Sequence, residues 1–182
     1  MQNYPIHTIA SAPENSKSAL EQLKKAFGVV PNLAAAIASS PKLINSLVGV
    51  FQQVHSSSLT EQEIQIVLLT DAVANSSMYA VAFHTALALQ QGVSSEETGA
   101  IREGRVPTNK RLAALSTLAK ALIEKRGHLS EQDLDSFLAA GFTKEQVPEV
   151  IAIVVASTIT NYAGAIANPP LEDPFRQHAW RA

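Results

Sequence analysis

The sequence predicts an all-helical fold, a bundle of about eight to nine helices forming a single domain over residues 1–182, with the core at about 16–167 and an extended tail at 168–182. Three observations predict it. Apolar residues recur at spacings of three and four along most of the chain. Helix-start residues precede these periodic segments, and glycine or proline follows them. No neighbouring segments alternate with period two, as paired strands would.

Taken in order, Leu20, Leu23 and Phe27 form the stripe of a first helix over 16–27, closed by Gly28. A short apolar segment runs from Pro31 to Ala38. Ser40-Pro41 supplies an N-cap and a proline at the first helical position, and Leu43, Leu47, Val50, Phe51 and Val54 follow. Thr60 and Glu63 form a capping box for a helix over about 61–73, with Ile64, Val67 and Leu68 inward. The next helix spans about Ser77 to Gln91 and stops at Gly92. Ser94 or Ser95 opens a short one that ends at Gly104. Pro107-Thr108 opens a helix bearing Leu112, Leu115, Leu118, Leu122 and Ile123, and Ser130 with Asp133 caps one bearing Leu134, Phe137 and Leu138. The last long helix, from Val147 to Tyr162, is nearly all apolar. Pro148 predicts an irregular start or a restart there. Pro169, Pro170 and Pro174 mark the tail.

Composition narrows the function classes. Charged residues are only 16% of the chain, against roughly 25% in soluble domains. So little charge predicts that part of the surface is hidden in a homo-oligomer. The net charge of −2, without a run of Lys or Arg, gives no footprint for nucleic acid or an anionic membrane. No apolar run reaches the roughly 18–20 uninterrupted residues of a membrane span, and MQNYPIHTIASAPENS is not a signal peptide. A cytoplasmic protein is the expectation. Cysteine is absent, which excludes disulfides, thiolate metal sites and cysteine nucleophiles. No His-Glu-x-x-His pattern or paired carboxylates point to a metal, no glycine loop cradles a phosphate, and no cofactor is expected. His7, His128 and His178 show no ligand spacing, and His55 reads as a solvated loop residue.

The informative stretch is Asn75-Ser-Ser-Met-Tyr-Ala-Val-Ala-Phe-His84. It resembles the signature of the carboxymuconolactone decarboxylase / alkyl hydroperoxidase D-like family. There an Asn precedes a Cys-x-x-Cys pair by two residues, a His follows the second Cys by four, and a Glu lies twelve before the first. In this chain the Asn is Asn75, the inner aromatic Tyr79 and the His His84; the thiol positions hold Ser77 and Ala80, and the Glu position holds Gln65. Context extends the resemblance to about residues 20–176, through Phe27-Gly-Val-Val-Pro-Asn32, Leu59-Thr60 with Glu63, Ala140-Gly-Phe-Thr143, Asn161-Tyr162 and Pro170-Leu-Glu172. Where the family often continues with Asn and His, this chain has Gly164 and Ala165.

The resemblance implies a helical bundle that assembles as a dimer, trimer or hexamer, and a site whose thiol chemistry is gone. A dithiol cycle needs a thiolate favoured by a helix N-terminus, with Glu and His to move its proton. Only His84 and Tyr79 keep groups that transfer protons; they are the candidate catalytic residues, with Gln65, Asn75, Ser77 and Ala80 as former-site positions. Each also has a plainer reading. His84 is a partly buried His bonded to Gln65 or a backbone carbonyl, Ser77 a helix N-cap or small filler, Tyr79 a packed ring with a hydrogen-bonded tip. Asn161 and Tyr162 take packing or helix-end roles. Two functions follow. One is an oligomeric small-molecule-binding or structural module of antioxidant-family descent. The other is a cofactor-free enzyme on a small organic acid, of decarboxylase or lactone type, with His84 as general acid/base.

Overall fold

The computed structural model describes residues 4–181, so residues 1–3 and 182, part of the predicted span 1–182, lie outside the described residues. Nine α-helices and a 3-10 turn follow one another, with no strand among the described residues: α1 Glu14–Phe27, α2 Asn32–Ile37, α3 Pro41–Val54, α4 Glu61–Ala74, α5 Met78–Gln90, α6 Ser95–Arg102, α7 Lys110–Glu124, α8 Glu131–Ala139, α9 Gln146–Ala167 and the turn Asp173–His178.

The helix starts are set by local chemistry. Ser40 Oγ accepts from Leu43 N at 3.3 Å. Thr60 and Glu63 exchange bonds with each other's backbone N–H at 3.3 and 2.8 Å, and Ser130 and Asp133 do the same at 3.3 and 2.8 Å. Each bond satisfies an amide that the helix leaves free. Gly28, at φ 77°, closes α1 in the left-handed region that glycine adopts without strain.

Three expectations are corrected. The cap of α7 is Asn109, whose side chain accepts from Arg111 N and Leu112 N, while Thr108 is held by Glu97 of α6. Helix α9 starts irregularly, with Gln146 N and Val147 N bonded to carbonyls three residues back, but it does not restart and runs unbroken through Pro148 to Ala167. Pro148 is only the third residue of α9, where the backbone N–H would have no intrahelical acceptor, so the ring breaks nothing. The tail is not simply extended. It turns at Asp173–His178 and docks on α5, with Phe175 edge-on to Phe83 at 4.7 Å. Arg102 of α6 donates to the carbonyls of His178 and Ala179, and Trp180 Nε1 donates back to Arg102 O.

The α4–α5 hairpin is the centre of the molecule. Helix α4 packs against α5, α6, α7 and α9, and every residue from Glu63 to Ala72 is buried. In α5 the run Tyr79–Ala86 is buried too. Neither helix has a polar face, because both are buried on all sides except near their ends. One apolar cluster joins α4 to α7, α8 and α9; the second joins α1, α2 and α3 to the other side of α5.

Helix α9 holds no uninterrupted apolar run of that length, but its 22 residues include an 18-residue window of mean hydropathy 1.8, long and apolar enough to cross a bilayer by length and composition. The polar interruptions, Ser157 and Asn161, are instead buried against α4. Its outer face leaves Ile151, Val155, Tyr162 and Ile166 exposed. Tyr162, expected in a packing or helix-end role, is 62% exposed in the interior of α9.

Candidate functional site

Between α1, α3, α4 and α5 lies a cavity of about 650 Å³, within the range of small-molecule sites. Its walls are mostly apolar, with Leu23, Leu47, Val48, Leu68 and Leu87 beside the rings of Phe27, Phe51, Tyr79 and Phe83. Phe27 and Phe83 meet edge to face at 5.3 Å, and Phe83 meets His84 likewise at 5.4 Å. Glutamines dominate the polar lining, through Gln22, Gln52, Gln90 and Gln91. Gln52 Nε2 donates to Gln22 Oε1 at 2.6 Å, tying α3 to α1. No Lys or Arg lines the cavity, and its one carboxylate, Glu61, is held by His55 Nδ1 at 3.0 Å. His55, expected in a solvated loop, thus lines the cavity from the C-cap of α3.

Of the six residues singled out from the sequence, four line this cavity: Gln65, Tyr79, Ala80 and His84. Gln65 sits on α4 one turn beyond the capping box, and the tight turn at Asn75–Ser77 folds α5 back along α4. That turn is pinned by Ser77 N donating to Ala72 O at 2.9 Å, with Ser76 at φ 52°. Gln65 Oε1 therefore meets His84 Nδ1 at 3.0 Å. A carbonyl oxygen only accepts, so Nδ1 carries the imidazole proton and Nε2 is a bare acceptor. Burial drives the His84 pKa down to about 3, with a smaller push from His55. His84 is neutral across the physiological range, without charge to give to a substrate.

The other two positions lie elsewhere. Ser77 occupies the N-cap position of α5 without capping it, and its Oγ lies 3.9 Å from where a Cβ on Gly164 of α9 would stand. Asn75 turns back to donate to Asp71 O and Oδ1 at 2.9 and 3.0 Å. Ser77 thus lies apart from Gln65, Tyr79 and His84, because the α4–α5 turn places its Oγ beside Gly164 of α9.

Two carboxylates had no site role in the sequence reading. Asp71, fully buried on α4, accepts from Asn75 Nδ2 at 3.0 Å, from Asn161 Nδ2 at 3.1 Å and from Ser157. Desolvation still outweighs these bonds and raises its pKa to about 6. An Asp in the mostly apolar second half of α4, four residues before the C-cap Asn75, was the available signal. Glu172, in the tail, accepts from Tyr79 OH at 2.8 Å and from Asn32 N at the start of α2. Leu33 N also donates to the Tyr79 oxygen, at 3.4 Å. Burial and Glu172 together raise the Tyr79 pKa well above the ordinary 10. Its proton is committed to the tail, and Tyr79 offers the cavity its ring alone. No group of residues able to hold a metal ion occurs among the described residues.

The model of the carboxymuconolactone decarboxylase family matches residues 41–121, from α3 through most of α7. No curated protein sequence matches the chain. Among solved structures, an alkylhydroperoxidase AhpD-core, uncharacterized peroxidase-related protein from Ralstonia eutropha JMP134 is similar, at 19% identity over 95% of this chain and 93% of that one, TM-score 0.83. A peroxidase-related protein from Silicibacter sp. TM1040 is 15% identical over 96% and 92%, TM-score 0.79. The debrominase Bmp8 C82A, in complex with 2,3,4-tribromopyrrole, is 17% identical over 98% and 96%, TM-score 0.82. These likenesses establish the fold. With no cysteine, thiol peroxidase chemistry has no nucleophile here. Over residues 41–121 the chain is thus similar to the carboxymuconolactone decarboxylase family, and it has an AhpD-like fold free of cysteine.

Proposed function

We propose that this chain is an oligomeric binding protein whose cavity takes a small, uncharged organic molecule. The observation that carries the reading is the cavity lining: aromatic and aliphatic walls, neutral amides, the neutral imidazole of His84, and no Lys or Arg, with Glu61 the one carboxylate, paired with His55. A buried carboxylate without a cation or several donors costs several kcal/mol, so the walls select against organic acids. A protein of the same fold, the debrominase Bmp8, has been solved with 2,3,4-tribromopyrrole, a small organic molecule.

The enzyme reading is the weaker one. An imidazole that burial keeps neutral has only its Nδ1 proton, bound to Gln65, and is a feeble general acid and a feeble base. Tyr79 has its proton bound to Glu172. For self-association the support is α9, whose outer face exposes Ile151, Val155, Tyr162 and Ile166 and whose only charged residue is Glu149. Two such faces meet without buried charge.

Thermal denaturation with a panel of neutral aromatic compounds and matched carboxylates tests the reading. The neutral compounds raise Tm in proportion to concentration, and the carboxylates do not. Turnover of a small lactone acid, abolished by His84→Asn, would replace this reading with the decarboxylase one.

A further inference from the structure

The tail after α9 lines no part of the cavity, yet three pieces of the cavity wall are fastened to it. Tyr79 and Phe83 both line the cavity from α5. The Tyr79 hydroxyl donates to Glu172 Oε1 at 2.8 Å, and the Phe83 ring meets Phe175 edge to face at 4.7 Å. Glu172 Oε1 also accepts from Asn32 N, and Asn32 Nδ2 donates to Pro170 O at 3.0 Å. These bonds hold the start of α2, where Leu33 and Ala34 line the cavity. Beyond Phe175 the tail is clipped to α6 through Arg102 and Trp180.

Wall and tail therefore share one set of contacts. When the tail lifts, Tyr79 loses its acceptor, Phe83 loses a ring neighbour and α2 loses the carboxylate at its N-terminus. Helix α2 has six residues, too few to hold together without outside contacts, so its start loosens with the tail. The tail is also poised to lift. It contains a single 3-10 turn, and Glu172 Oε2 is buried with no donor. An unpaired buried carboxylate oxygen costs free energy that undocking returns, because water then reaches it. A segment held in this way opens well below the free energy of global unfolding.

Resting on the reading of the cavity as a binding site, we propose that the tail is a strap whose docking and the filling of the cavity stabilise each other. Docked, it holds Tyr79, Phe83 and the start of α2 in the arrangement that binds ligand. Lifted, it lets that wall slacken. A ligand packed on the fixed wall favours the docked tail by the same factor by which the docked tail favours the ligand. Occupancy of the cavity is thereby read out on the outer surface.

Native-state hydrogen exchange, followed by NMR on the full chain, tests this in two arms. Without ligand, in urea below the unfolding transition, the amides of Phe175 and Ala179 in the tail and of Ala35 and Ala38 in α2 exchange through one shared opening, with a common urea slope. In Phe175→Ala all four exchange at least about tenfold faster, while amides of α4 and α7 keep wild-type rates. The chain's one tryptophan, Trp180, reports the same release as a red shift of its emission. With ligand, saturating 2-methoxynaphthalene slows exchange at Phe175 and Ala179 about tenfold in the wild type, although neither residue lines the cavity, and it binds Phe175→Ala about tenfold more weakly. The wild-type measurements decide the question where Phe175→Ala does not fold. Tail and α2 amides that open independently overturn the strap, as do α2 rates unchanged in Phe175→Ala. Binding that leaves the tail amides unaffected overturns the coupling and leaves the neutral-cavity reading standing. Absence of binding overturns that reading and the coupling with it.

Discussion

Two buried groups respond to acid with opposite sign, and replacing either one exposes the other. The His84 pKa is lowered from the ordinary 6.5 to about 3, so its contribution is present above pH 6.5 and is lost as the pH falls toward 3. Asp71 is raised from 3.8 to about 6, so its contribution is full below 3.8 and is lost as the pH rises through 6. Between pH 7 and pH 5 the unfolded chain takes up a proton at His84's position that the native chain refuses. At about 1.4 kcal/mol per tenfold difference in proton binding, this destabilises the fold by about 2 kcal/mol. Over the same interval native Asp71 takes up a proton that the unfolded chain does not, a gain of about 1 kcal/mol. The two nearly offset, and wild-type stability changes by about 1 kcal/mol or less between these pH values. In Asp71→Asn the full His84 loss of about 2 kcal/mol emerges on acidification. The amide also brings a donor beside the unpartnered Asn161 Oδ1, so the variant folds at pH 7. In His84→Asn the slope reverses, and stability rises by about 1 kcal/mol toward pH 5. Urea unfolding followed by circular dichroism at pH 5, 6 and 7, at one protein concentration, measures all three chains. Slopes of the same sign in the two variants would refute the reasoning.

Three further outcomes follow from the same structure. The chain does not consume hydrogen peroxide or an organic hydroperoxide with dithiol reductants above the buffer rate, and Ser77→Cys with Ala80→Cys and Gln65→Glu recovers at most a trace, measured by peroxide loss. Light scattering at micromolar concentration shows an oligomer that Val155→Asp with Tyr162→Asp converts to a folded monomer; a monomeric wild type would sink the assembly proposal. Glu172→Ala removes the acceptor for both Tyr79 OH and Asn32 N and costs about 1–3 kcal/mol of unfolding free energy, whereas Tyr79→Phe, which loses only the long Leu33 N bond at α2 and keeps that of Asn32 N to Glu172, costs less.

What the sequence made legible was local, and what it hid was set by distant contacts. The caps at Ser40, Thr60 and Ser130 bond within three residues, so residue type and spacing suffice to place them. Pro148 misled only as to a restart, because its effect depends on which residue is first in the helix, which spacing leaves uncertain by a turn. The α4–α5 pair was found as helices but not as the core, since all-round burial erases the polar face by which amphipathic helices are recognised. Tyr79 and Glu172 lie 93 positions apart. Nothing near either residue announces the other, and the tail that carries Glu172 reads as loop. Gln65 and His84, only 19 apart, were within reach because a single helical hairpin relates them. Their pairing also shows why a lost carboxylate need not mean a lost site. An amide fills the same position and keeps the bond to Nδ1, but it cannot hold a proton or stabilise an imidazolium. The exchange takes away acid–base chemistry and leaves a fixed tautomer, which is what recognition of a neutral ligand requires.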